Sequence, residues 1–319
     1  MNFQTLMKVE DSDFFIDLAF RNAKTTASML KLKGPELEKT RTKELKRIET
    51  IKQSINKSVG NIIRSFPNLE DLPEFYYELV KISLDYVKLK KSLGAVNWVV
   101  NKVNDFSIQY RSKIIKTQSA SKMRELRGQY YGRVASALKQ IKSEFAFLEY
   151  SRRIMKRFPT VKTSVPSVVV IGFPNVGKTT LLFKLTGSKP EINTYAFTTK
   201  TINVSYFTEG KEKIQVLDTP GSLNRFEKMN DIEKQADLAL KHCSDLIVYV
   251  LDPTEEYSLK DQKKLLLRVK KTGRPIITFL TKTDLVEKKI VKDYVSKFST
   301  LTDIDELKKQ IVKKIKPKE

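Results

Sequence analysis

Cysteine, histidine and tryptophan occur once each in this chain of 319 residues. A single cysteine, Cys243, excludes a disulfide framework within the chain and suits a reducing compartment, so no disulfide partner is expected. One histidine beside it, His242, does not complete a zinc-binding set, and it leaves Ser/His or Cys/His catalysis without a third group. Burial or helix-end packing is the expected role of both residues. No apolar run approaches the roughly 20 residues that cross a bilayer as a helix. The start Met1-Asn2-Phe3-Gln4 lacks the basic-then-apolar layout of a secretion signal, and a soluble, cytoplasmic protein without membrane contact is expected. Acidic side chains are also scarce, 37 against 60 basic ones, for a net charge of +23. That exceeds what solubility requires and points to a polyanionic partner.

The excess is uneven. Residues 1–165 hold 32 Lys/Arg against 17 Asp/Glu, and within them residues 101–165 hold 15 against 4. The same half shows no strand signal. Ile48, Ile51, Ile55, Val59, Ile62 and Phe66 recur at helical steps, ending at Pro67. Phe75, Leu79, Ile82, Tyr86, Leu89 and Leu93 repeat the pattern from Pro73 to Gly94; Val99 to Ile114 and Met123 to Leu148 follow. With a shorter opening helix around Phe14 to Leu30, these predict an antiparallel all-α bundle. Arg124, Arg127, Arg133, Lys139, Lys142, Arg152, Arg153, Lys156 and Arg157 lie on or after the last stretch. They read either as contacts to RNA phosphate or as a solvated helix face. Prolines and polar residues between Pro159 and Pro166 read as a connector, giving a basic bundle over 1–160 and a second domain over 161–319.

In that second half apolar strands alternate with helices: Val168 to Ile171, Thr201 to Phe207, Lys213 to Leu217, Leu246 to Leu251, Ile276 to Leu280 and a short one near Phe298. The pattern predicts a mostly parallel, doubly wound α/β sheet with a ligand at the strand C-terminal ends. Gly172 to Thr179 read GFPNVGKT directly after the first strand. Such a loop cradles phosphate on the backbone N–H groups of Asn175, Val176, Gly177, Lys178, Thr179 and Thr180. Lys178 would neutralise the β and γ oxygens and Thr179 would ligate Mg²⁺. Asp218-Thr219-Pro220-Gly221 closes another strand, with Asp218 reaching Mg²⁺ through water and the Gly221 N–H meeting a γ-phosphate. Thr281-Lys282-Thr283-Asp284 closes a third. The Asp284 carboxylate matches the paired N1 and N2 donors of guanine, and the Lys282 stem can lie along the purine face. The ligand read from these residues is GTP or GDP with Mg²⁺.

GFPNVGKT, YAFTTKT (Tyr195 to Thr201), DTPG and TKTD, in this order, resemble the P-loop GTPases of the Obg-like superfamily. Tyr131-Gly132-Arg133 onward, through Leu148-Glu149 and Arg152-Arg153 to Phe158-Pro159, is similar to the Nog1 branch in its archaeal form, where a helical domain precedes the GTPase domain. The resemblance implies GTP binding, slow hydrolysis and a part in large-subunit ribosome assembly through rRNA or a pre-ribosomal particle. Within YAFTTKT it places Phe197, Thr198 and Thr199 against the nucleotide; Thr199 is the candidate second Mg²⁺ hydroxyl and Thr198 its near-equal competitor. Slow turnover is expected because Ser222 and Leu223 stand where many small GTPases carry a water-orienting glutamine. Arg225 reads either as an arginine acting in cis or, in preference, as an exposed residue of the segment expected to move with nucleotide state.

Asn175 either holds a potassium ion, as in potassium-dependent relatives, or only stabilises its loop. Thr281 replaces the family's usual asparagine and braces the P-loop with one hydroxyl. Ser299 and Thr300 resemble a shortened last guanine motif that contacts the base through backbone N–H groups. Two other readings remain open: an Obg- or Drg-type GTPase acting on translating ribosomes, and an RNA-binding protein whose nucleotide is structural.

Overall fold

The computed structural model describes residues 2–162, 164–187, 191–193, 202–210, 212–218, 238–254 and 256–315, with backbone alone at 191–193, 202 and 203. Two compact units interleave in sequence. One comprises Gln4–Asp71 and Leu84–Lys156; the other comprises Met1–Phe3, Leu72–Ser83 and Arg157–Glu319. Among the described residues six helices precede the first strand: α1 (Ser12–Ser28), α2 (Glu36–Ser65), α3 (Glu74–Ser83), α4 (Tyr86–Lys116), α5 (Ala120–Gln140) and α6 (Lys142–Met155). α3 belongs to the second unit and the other five form the first.

The helical unit is built on two long helices. α2 buries Ile48, Ile51, Ile55, Val59 and Ile62 along one face, and α4 buries Leu89, Val96, Val99, Val103, Tyr110 and Ile114. Each such burial stabilises the fold by roughly 1.5–3 kcal/mol. α2 packs on α1 and α4, and α4 packs on α5 and α6.

Helix breaks differ from the sequence reading at two places. The pattern from Pro73 to Gly94 is interrupted at Asp85, whose carboxylate accepts the Lys88 N–H at 2.9 Å and starts α4. Gly94 lies inside that helix, because a capped start outweighs the roughly 1 kcal/mol penalty of one interior glycine. The stretch from Met123 to Leu148 breaks at Ile141, whose φ of −107° and ψ of 25° leave the helical region while its side chain stays in the core.

Two carboxylates pin this unit. Glu44, 3% exposed, meets Arg47 at 2.8 Å and Arg127 at 3.1 Å. Glu149 accepts hydrogen bonds from Arg152 at 2.7 Å, Arg153 at 2.9 Å and the Val9 N–H at 3.0 Å. Burial alone would raise the Glu149 carboxyl. The bonds from Arg152, Val9 and Arg153 outweigh it and hold the pKa at about 2.

The α/β unit continues with β1 (Ser167–Ile171), α7 (Lys178–Thr186), β2 (Glu191–Asn193), β3 (Ile202–Glu209), β4 (Glu212–Asp218), β5 (Leu246–Leu251), α8 (Leu259–Lys270), β6 (Ile276–Leu280), α9 (Lys288–Phe298) and α10 (Ile304–Lys314). The strand order is β2-β3-β4-β1-β5-β6. β1 pairs in parallel with β4 and β5, β5 pairs in parallel with β6, and β3 is antiparallel to β2 and β4. β1 and β5 are buried at every position, as strands covered on both faces require. The strand expected near Phe298 is absent. α9 runs through Phe298, Ser299 turns the chain at φ 51°, and Asp303 caps α10, so Leu301 alone bridges to β6.

α3 joins the sheet unit through Tyr76, which is fully buried. Its hydroxyl accepts the Val161 N–H at 2.8 Å and lies 2.8 Å from the Pro159 carbonyl. Phe3 packs edge-on against Tyr76 and Phe158. On the helical segment 238–243, Cys243 is buried and His242 Nδ1 lies 3.3 Å from Glu74.

Because Glu149 titrates below its ordinary value of 4.5, its stabilisation is full above that pH and fades as pH falls toward about 2. Glu149→Gln is expected to lower stability near neutral pH by about 2 kcal/mol in denaturant unfolding. The gap from the parent should narrow in acid, and a gap independent of pH would remove the charge as its cause.

Candidate nucleotide site

β1, β4, β5 and β6 end side by side, and the predicted motifs follow those ends. Val170 pairs with Asp218 on one side and Val248 on the other, and Leu251 pairs with Leu280. The loop from Gly172 to Gly177 crosses this edge and enters α7, whose first-turn N–H groups have no partner in their own helix. Gly172 is required by crowding: a Cβ there would stand 2.8 Å from the Val250 carbonyl oxygen. Gly177 is required by conformation, with φ at 90°.

Lys178 is 7% exposed, and its ammonium donates to the Phe173 carbonyl at 2.6 Å, which holds it over the loop it serves. Thr179 Oγ1 donates to Asp218 Oδ2 at 2.7 Å, so the hydroxyl and the carboxylate assigned to the metal stand together. Asp218 is 5% exposed. An oxygen pair beside a lysine and a helix N-terminus is the donor set that Mg²⁺ and a triphosphate share, and the residues present fit both.

The loop after β6 closes the site from the other side. Thr281 Oγ1 lies 2.6 Å from the Val176 carbonyl and 3.0 Å from the Leu251 carbonyl. One proton serves the nearer acceptor, so the threonine hydroxyl reaches the P-loop where the family's asparagine would. Lys282 Nζ lies 2.7 Å from Asp252 Oδ2. Hydrogen bonding to that fully buried carboxylate outweighs the lysine's own burial and raises its pKa above the ordinary value. Asp284 and Ser299 are exposed, and Thr300 is buried.

Asn175, Val176, Gly177, Lys178, Thr179, Thr180, Asp218, Thr281 and Lys282 therefore gather around one strand edge. Phe197, Thr198, Thr199, Gly221, Ser222 and Arg225 lie outside the described residues. Asp252 and Glu256 were not foreseen. Asp252 had a readable signal, a carboxylate directly after an apolar strand like Asp218; Glu256 had none.

A family profile described as the NOG1 N-terminal helical domain matches residues 3–162, half of the chain. The chain belongs to the NOG1 family. A profile described as a 50S ribosome-binding GTPase matches residues 167–282, so the α/β unit is a GTPase domain that binds guanine nucleotide. An uncharacterised protein of Methanocaldococcus jannaschii is 40% identical over 276 residues, 85% of this chain and 77% of that one. Nucleolar GTP-binding protein 1 of Drosophila melanogaster is 30% identical over 290 residues, 89% of this chain and 44% of that one. The protein of that name from Arabidopsis thaliana is 27% identical over 317 residues, 98% of this chain and 46% of that one. The chain thus spans less than half the length of these nucleolar relatives. No described helix is long and apolar enough to cross a membrane.

Gly172→Ala is expected to lower stability by about 1–3 kcal/mol, since backbone must move to admit the methyl. Unchanged thermal unfolding would show that the approach to Val250 relaxes freely. Thr281→Val should weaken binding of a fluorescently labelled GDP by roughly fivefold, the worth of about 1 kcal/mol for one lost hydrogen bond. Equal affinities would dismiss the brace.

Proposed function

We propose that this NOG1 protein hydrolyses GTP slowly and uses the bound nucleotide to control attachment of its basic helical unit to large-subunit rRNA during ribosome assembly. The observation that carries the nucleotide half is the meeting of Lys178, Thr179 and Asp218 at the edge that also holds Thr281 and Lys282. The net charge of +23 and the likeness to 50S ribosome-binding GTPases and to nucleolar GTP-binding protein 1 support the RNA half.

Lys178 neutralises the β and γ oxygens, and the N–H groups opening α7 orient them. Asp284 selects guanine over adenine by accepting from its paired donors. Thr179 and Asp218 would hold Mg²⁺, with Thr199 or Thr198 completing the set; Mg²⁺ supplies neutralisation of the charge that develops on the phosphate oxygens. Gly221 reports the γ-phosphate. Ser222 offers no amide to orient water, which keeps turnover slow. Ser299 and Thr300 assist the base through backbone N–H groups. A potassium ion beside Asn175 belongs to this reading, and equal turnover in potassium and sodium would discard it.

The described ion pairs sort the basic residues. Arg127 is committed to Glu44, and Arg152, 14% exposed, is committed to Glu149. Arg124, Arg133 and Lys142 are exposed on α5 and α6 and are the phosphate contacts of this proposal.

Lys178→Ala should abolish phosphate release from GTP, and release that persists would remove Lys178 from the phosphate site. Arg124→Glu with Arg133→Glu should weaken RNA binding and reduce the slope of log affinity against log salt by about 0.7–0.9 per lost contact. Unchanged affinity and slope would return both arginines to an ordinary solvated face.

A further inference from the structure

Among the described residues three other than glycine have positive φ: Asn175 at 59°, Lys282 at 51° and Ser299 at 51°. Residues with a Cβ adopt this left-handed region uncommonly, asparagine more readily than lysine, and Ser299 does so as the C-cap of α9. The first two sit in the P-loop and the guanine loop, more than 100 positions apart in sequence. One carboxylate touches both. Asn175 Nδ2 donates to Glu256 Oε1 at 3.2 Å, and Lys282 Nζ lies 3.4 Å from Glu256 Oε2.

The segment carrying Glu256 is itself anchored. Gln262, fully buried on α8, accepts the Asp252 N–H at 2.9 Å and donates to the Asp252 carbonyl at 2.8 Å and the Tyr257 carbonyl at 2.9 Å. Tyr257 in turn lies against Phe173 of the P-loop, with ring centroids 4.4 Å apart. The loop after β5 therefore grips the P-loop at two points, by ring contact at Phe173 and by carboxylate at Asn175. Lys282 already pairs with the fully buried Asp252 at 2.7 Å, so charge balance in the interior does not require a second acid. Glu256 adds a link between the phosphate side and the base side of the site.

We infer that Glu256 is a positioning residue for guanine nucleotide, holding the Asn175 turn and the Lys282 turn in the left-handed geometry that binds phosphate and base together. The assignment rests on guanine-nucleotide binding at this site and is independent of the rRNA proposal. With Glu256 in place both turns are set before the ligand arrives, and its removal leaves binding to impose them. The effect is read in the rate of nucleotide release, since these two loops hold the phosphate and the base.

The test is stopped-flow release of mant-GDP from the full chain. Glu256→Ala should release roughly fivefold faster at low salt, the worth of a partly exposed ion pair and one hydrogen bond. Glu256→Gln keeps an acceptor for Asn175 and loses the charge facing Lys282, so its release should fall between the two. Raising salt from about 0.05 to 0.5 M should close the gap between the parent and Glu256→Gln while leaving part of the gap to Glu256→Ala, because salt screens only the charged link. Unfolding without nucleotide should differ by no more than the small worth of these contacts, so that faster release is not loss of the fold. Equal release rates across the three proteins would overturn the inference, as would parallel changes with salt. A parent chain that binds no mant-GDP would overturn it together with the nucleotide reading.

Discussion

Parallel pairing of β1 with both β4 and β5 sets Val170 opposite Asp218 on one side and opposite Val248 on the other. This register decides the nucleotide site. It brings Asp218 within hydrogen-bond reach of Thr179, the second residue of the helix that β1 feeds through its glycine loop. It also brings the Val250 carbonyl so close to Gly172 that no side chain fits. A slip of one residue between β1 and β4 would dissolve the first contact, and one between β1 and β5 the second. The phosphate cradle is thus a consequence of strand register and not of the loop sequence alone.

The same strand that ends in Asp218 also fixes the segment by which the chain enters this unit. Gln215, fully buried on β4, accepts the Lys162 N–H at 2.9 Å and donates to Ser167 Oγ at 3.0 Å. The Tyr206 hydroxyl donates to the same Gln215 oxygen at 3.0 Å, and Tyr76 of α3 holds Val161 one residue earlier. The entering chain is thus fixed by these hydrogen bonds and by the rings of Phe3, Tyr76 and Phe158. β4 carries Asp218 at one end and holds the incoming chain at its middle through Gln215.

Features set by local chemistry were legible in the sequence. Apolar runs ending in Ile171, Asp218, Leu251 and Leu280 marked the strands, and the residues after them marked the site. Helix faces were legible because Ile48 to Ile62 keep a helical period. Helix ends were less so, since Asp85 as a cap competes with a pattern that runs on to Gly94, and only packing decides between them. Arg127 and Glu44 look like ordinary surface charges until α2 and α5 meet. Glu256 was invisible for the same reason: its partners Asn175 and Lys282 become neighbours only through the fold. The residues from 194 to 201 and from 219 to 237, which carry Thr199 and Gly221, lie outside the described chain and keep their sequence-based roles as proposals.

Control of RNA attachment by nucleotide requires that the two ligands differ in affinity when the other is present, and by the same factor in both directions. The direct measurement is the affinity of the full chain for large-subunit rRNA at fixed salt, with a non-hydrolysable GTP analogue and with GDP. A difference of about tenfold or more, on the order of 1.4 kcal/mol of coupling, is the predicted result. Equal affinities in the two nucleotide states would contradict it.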